Sequence, residues 1–118
     1  MKKEEFNWLI ERLKTEEVVM VNRQGVIDNV HGYIVPLTLS QTYGGISQNL
    51  VEQLLQKDEG EWLKNFTNGG LIVVNREGTL HFHFGMYVSS STLAVKLAND
   101  YKTTMIYSTI TKSWIDLK

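Results

Sequence analysis

Thr79-Leu80-His81-Phe82-His83-Phe84-Gly85-Met86-Tyr87-Val88 alternates without a break. Leu80, Phe82, Phe84, Met86 and Val88 share one parity; Thr79, His81, His83, Gly85 and Tyr87 share the other. Successive side chains of a strand project to opposite sides, so this pattern describes a strand with one face against a core. The spacing predicts Phe82, Phe84 and Met86 inside. Just upstream, Leu71 to Asn75 is a second apolar run, and Asn75-Arg76-Glu77-Gly78 supplies turn chemistry between the two. The pair is expected to form a hairpin turning at Arg76-Glu77.

A similar unit precedes it. Val18 to Asn22 reads as a strand, Asn22-Arg23-Gln24-Gly25 as a turn at Arg23-Gln24, and Val26 to Val35 as the returning strand, stopped by Pro36. Val21-Asn22-Arg23-Gln24-Gly25 aligns with Val74-Asn75-Arg76-Glu77-Gly78. In the same register Gly32 meets Gly85 and Val35 meets Val88, and with one gap Trp8-Leu9 meets Trp62-Leu63. This suggests an internal repeat of residues 3–35 and 58–88, with independent choice of a favourable turn as the plainer alternative.

Helical spacing fills the intervals. Phe6, Leu9, Ile10 and Leu13 make Lys3 to Thr15 an amphipathic helix. Ser47 opens a second one burying Leu50, Val51, Leu54 and Leu55, after an irregular stretch from Leu37 to Ile46; Trp62, Leu63 and Phe66 resume its pattern. Ser89 to Ser91 cap a third around Leu93, Val95 and Leu97, and Thr103–Ser108 with Ser113–Leu117 close the chain as a hairpin. The elements read α-β-β three times. An α+β fold follows, with an antiparallel-rich sheet and helices packed against its hairpins, and 118 residues suit a single domain.

Composition narrows the function classes. With 42% hydrophobic residues and one proline, the chain has the material for a packed core. A net charge of −1 without a basic stripe argues against nucleic acid. No apolar run is long enough to cross a bilayer, and Asn7 and Glu11 interrupt any signal-peptide core after Lys2-Lys3. The absence of cysteine excludes disulfides, a thiol nucleophile and thiolate metal sites, and accords with a cytoplasmic location.

The residue types that could carry chemistry are few. His81 and His83 lie two apart on a strand, on one face, where two imidazoles can share a metal ion. A zinc site needs a further protein ligand. Asp28 and His31 are the candidates; in the repeat register Asp28 falls on the same face as His81, and His31 on the opposite one. The cupin metal motif shares only the His-x-His, since no acid occurs from Phe84 to Thr92. The plainer reading makes both histidines the polar side of a half-buried strand. Ser89 to Ser91 lack a Gly-x-Ser-x-Gly elbow and read as caps, and Gly44-Gly45 belongs to no phosphate loop.

No cofactor is therefore expected, and catalysis is not. The reading favours a protein-binding module, inhibitor- or immunity-like, recognising one macromolecular partner. Its candidate contacts are the acids Glu4, Glu5 and Glu11 of the first helix, the Tyr43-Gly44-Gly45 loop, and Tyr87. A metal binder centred on His81, His83 and Asp28 is the alternative, and a small-ligand pocket a further one.

Overall fold

The computed structural model describes residues 1–28, 30–57 and 68–117. In chain order these form α1 (Lys3–Leu13), β1 (Val18–Asn22), β2 (Gly25–Val26), β3 (Tyr33–Pro36), α2 (Gln48–Leu55), β4 (Gly69–Arg76), β5 (Thr79–Val88), α3 (Ser91–Asp100), β6 (Met105–Ser108) and β7 (Ser113–Asp116). The strands make one antiparallel sheet in the order β2-β1-β4-β5-β3-β6-β7. The α+β class is as the periodicities indicate. No helix among the described residues is long and apolar enough to cross a membrane.

Alternation divides the sheet into two apolar faces. On the first, Phe82, Phe84, Met86 and Val88 of β5 join Leu71 and Val73 of β4 and Val19 and Val21 of β1. Against them pack Leu9 and Leu13 of α1, Val51, Leu54 and Leu55 of α2, and Ala94 and Ala98 of α3. The two alanines let α3 approach the sheet closely. Ser47 and Ser90 start α2 and α3 by accepting the N–H groups of Leu50 and Leu93, two donors that the first helical turn otherwise leaves unpaired.

The second face carries Val18, Met20, Ile34, Ile72, Val74 and Tyr107, all buried. It is concave. The indole Nε1 of Trp114, on the last strand, donates to Glu17 Oε1 at 3.2 Å, and Glu17 immediately precedes the second strand of the sheet order. In a flat sheet five strand spacings would hold them roughly 24 Å apart, at about 4.8 Å each. The coiling that follows from strand twist brings them together.

Two expectations need correction. Arg76 pairs with Thr79, so the β4–β5 turn residues are Glu77 and Gly78 rather than Arg76 and Glu77. Both have positive φ, 53° and 88°, as a two-residue hairpin of matching twist requires. The first unit does turn at Arg23-Gln24, where Asn22 Oδ1 accepts the N–H groups of Gln24 and Gly25.

The segment from Val26 to Val35 is not one returning strand. It stays with β1 through Gly25, Val26 and the Ile27 N–H, which donates to Met20 O, then leaves; β3 enters on the far side of β5 and also pairs with β6. The two Val-Asn-Arg-x-Gly motifs thus build hairpins of different register and length. The polar Asp28-Asn29 pair breaks the alternation that β5 sustains over ten residues. The part of the expected repeat at 58–67, with Trp62, Leu63 and Phe66, lies outside the described residues.

Candidate functional site

Thr79 to Val88 presents His81 and His83 to the concave face, opposite Val74 and Ile72 of β4. Residues 37–41 run beside this strand as an irregular strap. Leu37 N–H donates to Phe84 O, Gln41 and Phe82 exchange both backbone hydrogen bonds, and Thr38 Oγ1 accepts the N–H of Phe84. Both histidines hold the strap as well: His81 Nδ1 lies 2.8 Å from Ser40 Oγ, and His83 Nδ1 lies 3.0 Å from the Thr38 carbonyl.

A carbonyl oxygen only accepts, so His83 Nδ1 carries a proton and Nε2 keeps its lone pair when the ring is neutral. Burial pushes the His83 imidazole below its ordinary pKa; the Thr38 hydrogen bond opposes this, and the charges of Arg76 and His81 add to the depression. His83 is therefore a neutral imidazole of fixed tautomer.

Between the strap, β5 and the α3–β6 connection lies a cleft of about 310 Å³. Arg76, His83, Lys102, Trp114 and Met105 line it beside the strap residues, and no carboxylate does among the described residues. Arg76 Cζ sits 5.3 Å from the centre of the Trp114 ring, within cation–π range. Trp114 in turn meets Tyr107 edge-on at 5.2 Å. At the rim Leu39 is 89% exposed and Tyr101 42%.

A second cleft of about 360 Å³ opens near the start of β1 and differs in its charges. Arg12, Glu16, Glu17, Asp28 and Lys112 all line it. Arg12 is bound by Glu16 at 2.5 Å and 3.2 Å and by Asp28 at 3.5 Å. Its charges largely answer one another. The hydrogen bond from Arg12 holds the Glu16 carboxyl below the usual range, whereas burial, followed by the charges of Glu17 and Glu16, pushes Tyr107 up.

The expected metal set does not assemble. Asp28 belongs to the second cleft as a partner of Arg12, while His81 and His83 face the strap. No group of three His, Cys, Asp or Glu side chains placed to hold a metal occurs among the described residues.

The expected partner contacts are likewise dispersed. Glu5 is half-buried, with Oε1 accepting the Val26 N–H and so covering the β2 edge of the sheet; Glu11 pairs with Lys14; Glu4 is exposed. Tyr43 packs edge-on against Phe82 at 5.5 Å, lies under Lys57, and its hydroxyl binds Gln41 and accepts from Lys57. Gly44, at φ 76°, has open space where a side chain would stand, and Gly45 follows it. Tyr87 is half-buried against the concave cluster, its backbone tied to Asn68. These residues lie on α1, on the loop beyond the strap, and on the concave face.

Arg76, Lys102 and Leu39 were not among the candidates that sequence reasoning reached. Arg76 reads as a turn residue until the turn moves to Glu77-Gly78. It then shares a parity with Ile72 and Val74, which places it on the concave face. Nothing in the sequence shows that the sheet coils to carry Trp114 to it.

No protein-family model matches this chain, and neither a curated protein nor a solved structure does. The chemistry of the concave face is the ground on which function can be argued.

Proposed function

We propose that this protein is a non-catalytic recognition module, inhibitor- or immunity-like, that binds one protein partner through the cleft beside the strap. The observation supporting this most is the exposure of Leu39 at the rim. A strap held by both histidines and by backbone bonds to Phe84 and Phe82 presents a large aliphatic side chain almost wholly to solvent. Beside it, Trp114 and Arg76 in the cleft wall are of the residue types enriched at the hot spots of protein interfaces. The metal reading has less support, because His81 and His83 already have partners and Asp28 lies with Arg12.

The test is affinity capture from the native host with the wild-type chain and with Leu39→Asp. A side chain this exposed can be exchanged without disturbing the core, so folding is expected to persist. A partner retained by the wild type and lost by Leu39→Asp supports the reading. Capture of the same partner by both chains, at equal yield, contradicts it.

A further inference from the structure

We propose that the cleft beside the strap receives a carboxylate carried next to an apolar or aromatic group, as at the acidic side chain or C-terminus of a protein segment. This rests on reading the cleft as the recognition surface and adds the chemistry of what enters it.

The charge inventory carries the argument. Arg76 and Lys102 line the cleft, from β4 and from the α3–β6 connection, and no described carboxylate does. Neither forms an ion pair among the described residues. The nearby acid Glu17 has its Oε1 on the Trp114 indole N–H and lines the second cleft instead. In that second cleft a guanidinium of the same kind is held by two carboxylates. One protein thus contains a neutralised arginine site and one in which the neutralising anion is not supplied by the described lining.

The guanidinium is also prepared for such a group. Its cation–π contact with Trp114 places it at the cleft wall, and a planar fork of N–H donors matches a carboxylate with two parallel hydrogen bonds. Trp114, Met105, Leu37 and Leu39 provide apolar surface for whatever carries the carboxylate. His83 lines the cleft without donating to the anion, since its Nδ1–H is committed to Thr38 O, and the neutral ring adds no negative charge of its own.

The proposal is testable with a simple probe. Benzoate is titrated into the full-length protein while the Trp114 indole and His83 ring signals are followed by NMR, with benzyl alcohol and phenyl phosphate as parallel arms. Saturable shifts at both residues are expected with benzoate in the millimolar range. The affinity should fall at least tenfold in Arg76→Gln, less in Lys102→Gln, and stay unchanged in Arg12→Gln. Saturation should raise the His83 pKa, because the bound anion offsets the charge of Arg76.

Equal binding of benzyl alcohol would make the cleft merely apolar and overturn the proposal. So would the absence of saturable shifts, or benzoate binding insensitive to Arg76→Gln. Tighter binding of phenyl phosphate with no benzoate shift would overturn the carboxylate assignment. If benzoate fails while Leu39→Asp still loses the captured partner, this inference falls and the recognition reading stands. If benzoate binds as described while both chains capture equally, the recognition reading falls instead.

Discussion

The two faces of β5 are built from the same ten residues and do different work. Phe82, Phe84, Met86 and Val88 lie against three helices in an apolar cluster. His81, His83 and Tyr87 face the concave side, where polar groups hold a strap and border a cleft. One face is filled, and substitutions there should be read in stability. The other is partly open, and substitutions there should be read increasingly in binding. Four changes along and beside this strand sharpen or break that division.

Phe82→Ala has the largest expected effect. It removes a buried ring that Tyr43 also packs against and leaves a cavity, which should cost about 3–5 kcal/mol in chemical denaturation. A loss below about 1 kcal/mol would mean that the helical face is not packed as described.

Gly85→Ala comes next, although Gly85 lies on the concave parity. An added Cβ would stand 2.2 Å from the Val35 carbonyl oxygen and 2.5 Å from Ile72 Cδ1. The close passage of β3 depends on the missing side chain. Overpacking of this kind costs roughly 1–3 kcal/mol, and the melting temperature should fall accordingly. A melting temperature equal to wild type would refute the close β3–β5 approach.

His83→Gln probes the strap through pH. The folded imidazole titrates below its ordinary value of about 6.5, so the unfolded chain binds more protons between the two pKa values. The contribution of the neutral ring is complete above about pH 6.5 and declines as pH falls toward the folded pKa. Wild type should therefore lose more stability between pH 7.5 and 5.5 than His83→Gln does. Glu16, held low by Arg12, contributes a separate loss below about pH 4.5 that both chains share. Equal pH slopes in the upper window would remove His83 from its half-buried position.

Arg76→Gln should change stability least, within about 0.5 kcal/mol, since its side chain is exposed and the substitution removes its stack on Trp114 without opening a cavity. Its effect belongs to binding. Destabilisation beyond about 2 kcal/mol would show that Arg76 supports the fold and would dissolve the contrast between the faces.

The same strand shows what the sequence discloses and what it withholds. Period two marked the buried parity of β5, apolar spacing marked α1 and α2, and serine caps marked α2 and α3, because these are local relations; the residues α3 buries are Ala94 and Ala98, whereas Leu93 and Val95 are exposed. Val26 to Val35 resisted. A strand's partner is chosen by burial across the whole sheet, and two copies of one turn motif could not show that β3 crosses to β5 and β6. The site was less legible still. His81 and His83 could be placed on a face, yet their partners Ser40 and Thr38 lie in a stretch without periodicity. Arg76 and Trp114 come from strands that meet only because the sheet coils.

The central claim is that His81 and His83 secure the strap and leave the cleft for recognition. The most direct test is the ¹⁵N spectrum of both imidazoles at pH 7.5, with and without one equivalent of zinc. The account predicts a neutral His83 protonated at Nδ1, and ring signals for both residues that zinc leaves in place. Protonation of His83 at Nε2, or stoichiometric shifts of both rings on adding zinc, would contradict it.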